Sequence, residues 1–345
     1  MSAFAYGHAA APTWRECVEA CAGRIGRPGG GLGFVYFTDA LLHAAHDILQ
    51  ALRSRTGVED WVGSVGVGVL ATGAEYQDEP AVSAMVADIG GFTVFSGRDR
   101  VRGEPHFAVV HADPAAPDVP DLVADMSAKV TSGFIVGGLS SSRSHTVQIA
   151  NAVLSGGLSG AVLDSDVAVA TRLTQGCVPF PGRFRVTECA QNIIGTLDGR
   201  PALDVLKEVI GLERNVLVGI PVPGSDTGDY TARNLVGVDP RRKLIAIGDV
   251  VETGAEVLFC RRDEAAARND LSRILGELRS AVPRPRGALY FSCLARGEHM
   301  FGSRGAELDI IGQALGEVPL VGFFCNGEIS RDRLYGYTGV LTLFH

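Results

Sequence analysis

Four times along this chain a helix-like segment leads into a buried apolar run that ends on glycine. The runs are Trp61-Val62-Gly63, Ile135-Val136-Gly137, Val216-Leu217-Val218-Gly219 and Leu320-Val321-Gly322. The segments before them are Leu41 to Leu52, Asp121 to Val130, Ala202 to Ile210 and Ala306 to Leu315. In the first of these, Leu41, Ala44, Ala45, Ile48 and Leu52 hold the three-and-four spacing of a helix face. Strand-like runs precede three of the helices, at Leu32 to Phe37, His106 to His111 and Ala288 to Phe291. Copies so unevenly spaced do not make a solenoid. Val82 to Ile89, Phe92 to Phe95 and Val167 to Leu173 add further strands between the helices, so the sheets are expected to be mixed rather than purely parallel. The expected class is α/β, with two similar lobes built from repeated strand–helix–strand–strand units.

The first element read from the sequence is a helix from about Thr13, with Thr13 as N-cap and Glu16 completing a capping box. A seam is expected after Gly176, where Pro179, Pro181 and Gly182 interrupt the pattern. Phe184 to Thr196 then reads as a hairpin, and Asp198-Gly199-Arg200-Pro201 as the turn before the next helix. The expected intervals are an N-terminal helix region over 1–29, a first lobe over 30–198 and a second over 199–345.

Composition removes several function classes. Lys and Arg number 31 against 39 Asp and Glu, a net charge of −8, and the densest basic run is Arg241-Arg242-Lys243. That is the wrong sign for tracking a phosphate backbone, so nucleic acid is not an expected partner. No apolar stretch approaches the roughly 20 residues that span a bilayer, and no basic flank leads into an apolar run at the start. Seven cysteines are too sparse for a disulfide scaffold, and Cys17 and Cys21 lack a second pair at metal-ligand spacing. A reduced, cytoplasmic protein is expected.

Phosphate-loop, dinucleotide and nucleophile-elbow motifs are absent: Gly63-x-x-Gly66-x-Gly68 has the wrong order, and Gly138-Leu139-Ser140-Ser141-Ser142 has hydroxyls without a readable base. The C-terminal third says more. Ser292-Cys293 closes one strand, with Arg296 three residues on, and Cys325-Asn326-Gly327-Glu328 follows another. Ligands of open α/β sheets sit at strand ends. If these strands are neighbours, Cys293, Arg296, Asn326 and Glu328 meet, with Arg suited to a carboxylate and Asn and Glu to an amine or amide. The competing reading is a structural ion pair between Arg296 and Glu328.

Tyr290-Phe291-Ser292-Cys293-Leu294-Ala295-Arg296-Gly297, then Gly305-Ala306-Glu307-Leu308, then Pro319 to Phe323 and Asn326-Gly327-Glu328-Ile329 resemble the C-terminal half of the FIST family. Arg185-Val186-Thr187, Asn192 to Leu203 and Tyr230-Thr231-Ala232-Arg233-Asn234 are similar to it as well. Val62 to Gly68 and Gly137-Gly138 resemble its N-terminal half. The resemblance implies a sensory protein for small molecules, with amino acids as the proposed ligands, and output through a separate signalling protein such as a histidine kinase or a cyclase. The expected ligand-binding residues are Ser140, Ser141, Arg233, Ser292, Cys293, Arg296, Asn326, Gly327 and Glu328; no catalytic or metal-ligating residue is expected. One branch of the family binds haem and senses nitric oxide. That makes haem the alternative cofactor, with His145 and His299 nearest the site loops. A third reading is an enzyme with Cys293 as nucleophile, its thiolate favoured by Arg296.

Overall fold

A computed structural model describes residues 4–97, 101, 105–223 and 228–345. Two compact units divide the chain. Met1–Thr174, Arg268–Leu334 and Thr338–His345 form the first, and Gln175–Ala267 with Tyr335–Tyr337 form the second. The mixed α/β class and the repeated strand–helix–strand units expected from the sequence are both present.

The first unit uses one plan three times. Its first copy runs β1 (Phe4–Ala10), α1 (Trp14–Ile25), β2 (Leu32–Thr38), a 3-10 turn into α2 (Ala45–Thr56), β3 (Asp60–Gly66), β4 (Gly68–Ala71), β5 (Ala74–Gln77) and β6 (Ala81–Ala87). The second copy runs β7 (Phe92–Ser96), β8 (Phe107–Ala112), α3 (Val119–Lys129), β9 (Phe134–Leu139), β10 (Gln148–Ala150), β11 (Val153–Leu154) and β12 (Leu158–Leu163). The third opens with β13 (Val169–Gln175), and the second unit is then inserted. That unit holds β14 (Cys177–Pro179), β15 (Phe184–Ala190), β16 (Ile193–Leu197), β17 (Arg200–Pro201), α4 (Ala202–Ile210), β18 (Val216–Pro221), β19 (Tyr230–Asp239), β20 (Leu244–Ile247) and β21 (Glu256–Arg262). The third copy resumes through α5 (Glu264–Ala281), β22 (Gly287–Cys293), α6 (Glu298–Phe301), α7 (Ala306–Leu315), β23 (Leu320–Cys325), β24 (Glu328–Ser330), β25 (Arg333–Tyr335) and β26 (Thr338–Phe344).

In each copy two central strands pair in parallel across a helical crossover: β2 with β3, β8 with β9, and β22 with β23. The last strand of the copy returns antiparallel to the first of that pair, β6 on β2, β12 on β8 and β26 on β22. The hairpin in between leaves for another copy's sheet. β4–β5 adds to β23, β10–β11 to β3, and β24–β25 to β9. The result is three six-stranded sheets, β1-β6-β2-β3-β10-β11, β7-β12-β8-β9-β24-β25 and β13-β26-β22-β23-β4-β5. Their inner faces share one core that includes Phe34, Tyr36, Val109, Phe291 and Phe323, while α1 and α2 cover the outer face of the first sheet and α3 that of the second.

The second unit is a closed antiparallel barrel, β15-β16-β20-β19-β18-β21 and back to β15. Leu203 and Leu206 of α4 join Val186, Ile194, Val218, Ile245 and Phe259 in its core. The third of the four glycine-ended runs, Val216 to Gly219, lies here in β18, and it pairs antiparallel on both sides. The strand preceding α4 is only the two-residue β17, which pairs with β16, so no parallel partner awaits β18 across its helix. At the other end of the chain the expected N-terminal helix is preceded by a strand, β1, held by its ladder to β6. Among the described residues, no helix is long and apolar enough to cross a membrane.

Candidate functional site

The parallel pairing of β22 and β23 sets Cys293 directly beside Cys325. Two strand ends separated by the α6–α7 crossover therefore become neighbours. The chain leaves β22 in a tight turn, with Arg296 N–H donating to the Cys293 carbonyl (2.8 Å) and Leu294 N–H to the Cys325 carbonyl (3.1 Å). This turn folds the Arg296 side chain into the protein, where it is 0% exposed. Its partner is Glu307 of α7 rather than Glu328: Arg296 Nε lies 2.8 Å from Glu307 Oε1, and Nη2 reaches the same oxygen. Glu307 also accepts from the hydroxyls of Tyr290 and Ser292. The Phe301 ring lies 5.1 Å from the guanidinium carbon. Burial is the largest single influence on Arg296 and works against its charge, but Glu307, Tyr290 and Glu328 together outweigh it and hold the guanidinium above its ordinary range. One arm, Nη1, is buried with no hydrogen-bond partner among the described residues.

Next to this cluster is the turn from β23 to β24. Gly327 takes φ +136, a conformation open to glycine and strained for a residue with a Cβ. Glu328 follows it into the interior at 0% exposure. Its carboxylate accepts from Thr338 N–H (3.1 Å), Thr338 Oγ1 (2.6 Å) and the Cys325 thiol (3.2 Å). Burial drives its pKa up to about 7, against the opposing pull of those hydrogen bonds and of Arg296. Burial likewise pushes the Cys325 thiol well above its ordinary range.

Ser140 and Ser141 do come to this turn. Ser141 Oγ donates to the Phe324 carbonyl (2.5 Å) and accepts from Val67 N–H (2.9 Å), while Ser140 Oγ lies 2.8 Å from Ser64 Oγ. Leu139 and the turn exchange backbone bonds, Asn326 N–H to Leu139 O and Leu139 N–H to Gly327 O. Ser292, Cys293, Arg296, Gly327, Glu328, Ser140 and Ser141 are thus brought together and largely sealed, and the side of the cluster that meets solvent is marked by Asn326. Arg233 lies in the second unit, where its Nε pairs with Asp249 at 2.7 Å. Neither Glu307 nor Thr338 is among the site residues expected from the sequence. Glu307 did leave a signal, standing four residues before Ile311 on the buried stripe of α7; Thr338, in another strand, left none.

A FIST N domain model matches residues 31–200, and a FIST C domain model matches residues 202–331. The chain belongs to the FIST family. An uncharacterized protein of Mycobacterium tuberculosis strain H37Rv is 31% identical over 339 residues, covering 87% of each chain. An uncharacterized protein of Mycobacterium bovis is 30% identical over 343 residues, covering 87% of this chain and 86% of its own length. FIST domains are small-ligand-binding sensory domains. The polar cluster draws on both matched segments, with Ser140 and Ser141 from FIST N and Ser292 to Glu328 from FIST C.

Haem needs an axial ligand at the wall of an apolar slot. In this FIST protein His145 and His299 are exposed. His111 is buried, but it is boxed by the rings of Tyr36, Phe291 and Phe323 at 5.5–6.1 Å. These surroundings do not fit a porphyrin.

Proposed function

We propose that this FIST protein is a cytoplasmic sensor of an amino acid or a similar small zwitterion, reporting to a separate signalling protein such as a histidine kinase or a cyclase. The ligand is held at the C-terminal ends of β22 and β23. One observation carries the reading: Arg296 presents a buried N–H arm without an acceptor among the described residues, beside a Glu328 carboxyl whose pKa is raised to about 7. A ligand carboxylate completing that arm gains a charge-assisted hydrogen bond of about 1.5–3 kcal/mol. Glu328 and Asn326 then suit the amino group, with Ser292, Cys293, Gly327, Ser140 and Ser141 forming the walls. Access is through α6, a single turn whose Phe301 covers the guanidinium and whose flanking Gly297 and Gly302 take φ +57 and +79.

Calorimetry of the full chain against the twenty amino acids tests this. The expected result is saturable heat with at least one of them. Arg296→Lys keeps a charge opposite Glu307 but loses the spare arm, and should weaken that ligand by about tenfold. Silence across the panel in wild-type protein, or unchanged affinity in the folded variant, would remove the reading.

A further inference from the structure

The chain enters the second unit along β14 and leaves it along β21, and these two strands pair antiparallel. Their register sets Cys177 opposite Arg262 and Pro179 opposite Cys260. Residues two apart on a strand share a face, so Cys177 and Cys260 are diagonal neighbours on one face of the pair. That face is not the one lining the barrel core. Val257 and Phe259 of β21 belong to that core, whereas Leu258 and Cys260 alternate with them and pack with Leu217, Tyr230 and Ala232. Cys260 is fully buried in this smaller cluster, and Cys177 joins it half-buried.

The two thiols are in hydrogen-bond contact, sulfur to sulfur. Other buried thiols of this chain donate to backbone oxygen, Cys21 to the Val82 carbonyl at 3.3 Å and Cys325 to the Ser292 carbonyl at 3.4 Å. Tyr230 braces the sulfur pair, its hydroxyl donating to the Cys177 carbonyl (2.9 Å) and touching the Cys260 thiol. The hydrogen bond to Cys177, with burial second, pushes the Cys260 thiol far above its ordinary range. Cys260 therefore keeps its proton, and the half-buried Cys177 is the sulfur that an oxidant meets first. Diagonal strand neighbours lie about 7–8 Å apart at Cα, past the usual span of a disulfide, so a bridge here needs a small backbone shift and stays easily reduced. That shift falls to β14, a three-residue strand at the edge of its sheet.

We propose that Cys177 and Cys260 form a reversible, peroxide-sensitive disulfide that clasps the entry strand of the barrel to its exit strand. The Cys177 thiolate attacks one oxygen of hydrogen peroxide, the O–O bond breaks, and the departing hydroxide takes up the released proton as water. The Cys260 sulfur then attacks the Cys177 sulfenic acid. The S–S bond forms as the S–O bond breaks, and the Cys260 proton leaves with that oxygen as a second water. The two thiols lose two electrons and the peroxide gains them. A dithiol reductant restores both thiols by exchange. A bond of this kind suits a reducing compartment, where disulfides are transient and redox-sensing rather than structural. Once formed, it closes the chain from Cys177 to Cys260 into a loop, which restricts the unfolded barrel and favours the folded one. The pair lies in the second unit and shares no residue with the Arg296 cluster, so its fate is independent of the amino-acid reading.

Hydrogen peroxide titrated into the full chain, followed by non-reducing peptide mapping and urea unfolding, is the test. The expected result is a peptide crosslinked between Cys177 and Cys260, an upward shift of the urea midpoint, and reversal of both by dithiothreitol. Cys177→Ser, a change at the half-buried position, should lose the crosslink and the shift, and leave Cys260 unoxidised at the dose that crosslinks wild type. Sulfinic acid at Cys177 without a crosslink would overturn the proposal, as would bridges joining other cysteines instead. An unmoved midpoint in crosslinked wild type, or one that still rises with peroxide in folded Cys177→Ser, would remove the clasp.

Discussion

Glu328 shows how much one side chain's surroundings decide. Its ordinary pKa is 4.5, and burial raises the folded value to about 7. Below 4.5 both states are protonated and Glu328 adds no pH dependence. As pH rises toward 7 the unfolded chain ionises while the folded one keeps its proton, so stability falls; above 7 the loss levels off. Glu328→Gln cannot ionise. Its stability relative to wild type is therefore expected to climb from about pH 5 to pH 7 and then flatten, as measured by urea unfolding across that range. Parallel curves would mean that Glu328 is ionised throughout. The position of Glu328 beside Cys293 and Arg296 was legible, because both runs end strands and strand ends gather polar groups. That Arg296 pairs with Glu307 was not legible. Either acid satisfies the charge, and only the approach of α7 to β22 chose between them.

At the scale of the elements, glycine accounts for the recurrent Val-Gly ending. A Cβ added to Gly63, Gly137 or Gly322 would lie 1.7 Å from the carbonyl oxygen of Val35, Val110 or Tyr290 on the parallel neighbour. No flexible side chain is available to yield, since the obstructing atom is backbone. Gly322→Ala is thus expected to destabilise by at least about 3 kcal/mol, the upper end for overpacked cores. Gly276→Ala, at an exposed α5 position with nothing within 4 Å, should instead stabilise by about 0.5–1 kcal/mol. Thermal unfolding of the two variants beside wild type checks both signs. Elements with local signals were readable in advance. The Thr13–Glu16 box forms as expected, with Glu16 N–H on Thr13 Oγ1 at 3.3 Å and Thr13 N–H on Glu16 Oε2 at 3.1 Å. β1 carried no such signal. Phe4–Ala10 is a strand because β6 pairs with it, and Gly7 lets the Cys21 backbone of α1 come close.

For the whole molecule, the exchange of hairpins ties the three copies together while the inserted barrel keeps its own core. The core of the barrel is drawn entirely from residues 180–259. A fragment spanning 175–267 is therefore expected to unfold in one cooperative transition with a β-sheet circular dichroism spectrum. A fragment spanning 91–166 should stay unfolded, because the last two strands of its sheet come from β24 and β25. A folded 91–166 fragment, or a barrel fragment without a transition, would contradict this account of where cooperativity resides.

Taken alone, the amino-acid order determined what neighbouring residues can decide among themselves: helix faces, caps, glycine-ended strands and the polar runs that close them. Those features depend on contacts a few residues apart, and their periods and steric demands are written in contiguous sequence. The tertiary structure decided which sheet each hairpin joins, which acid neutralises Arg296, and that the rings of Tyr36, His111 and Phe291 meet. These are choices among chemically equivalent partners far apart in the chain, settled only when packing and the cost of burying charge act on all of them at once.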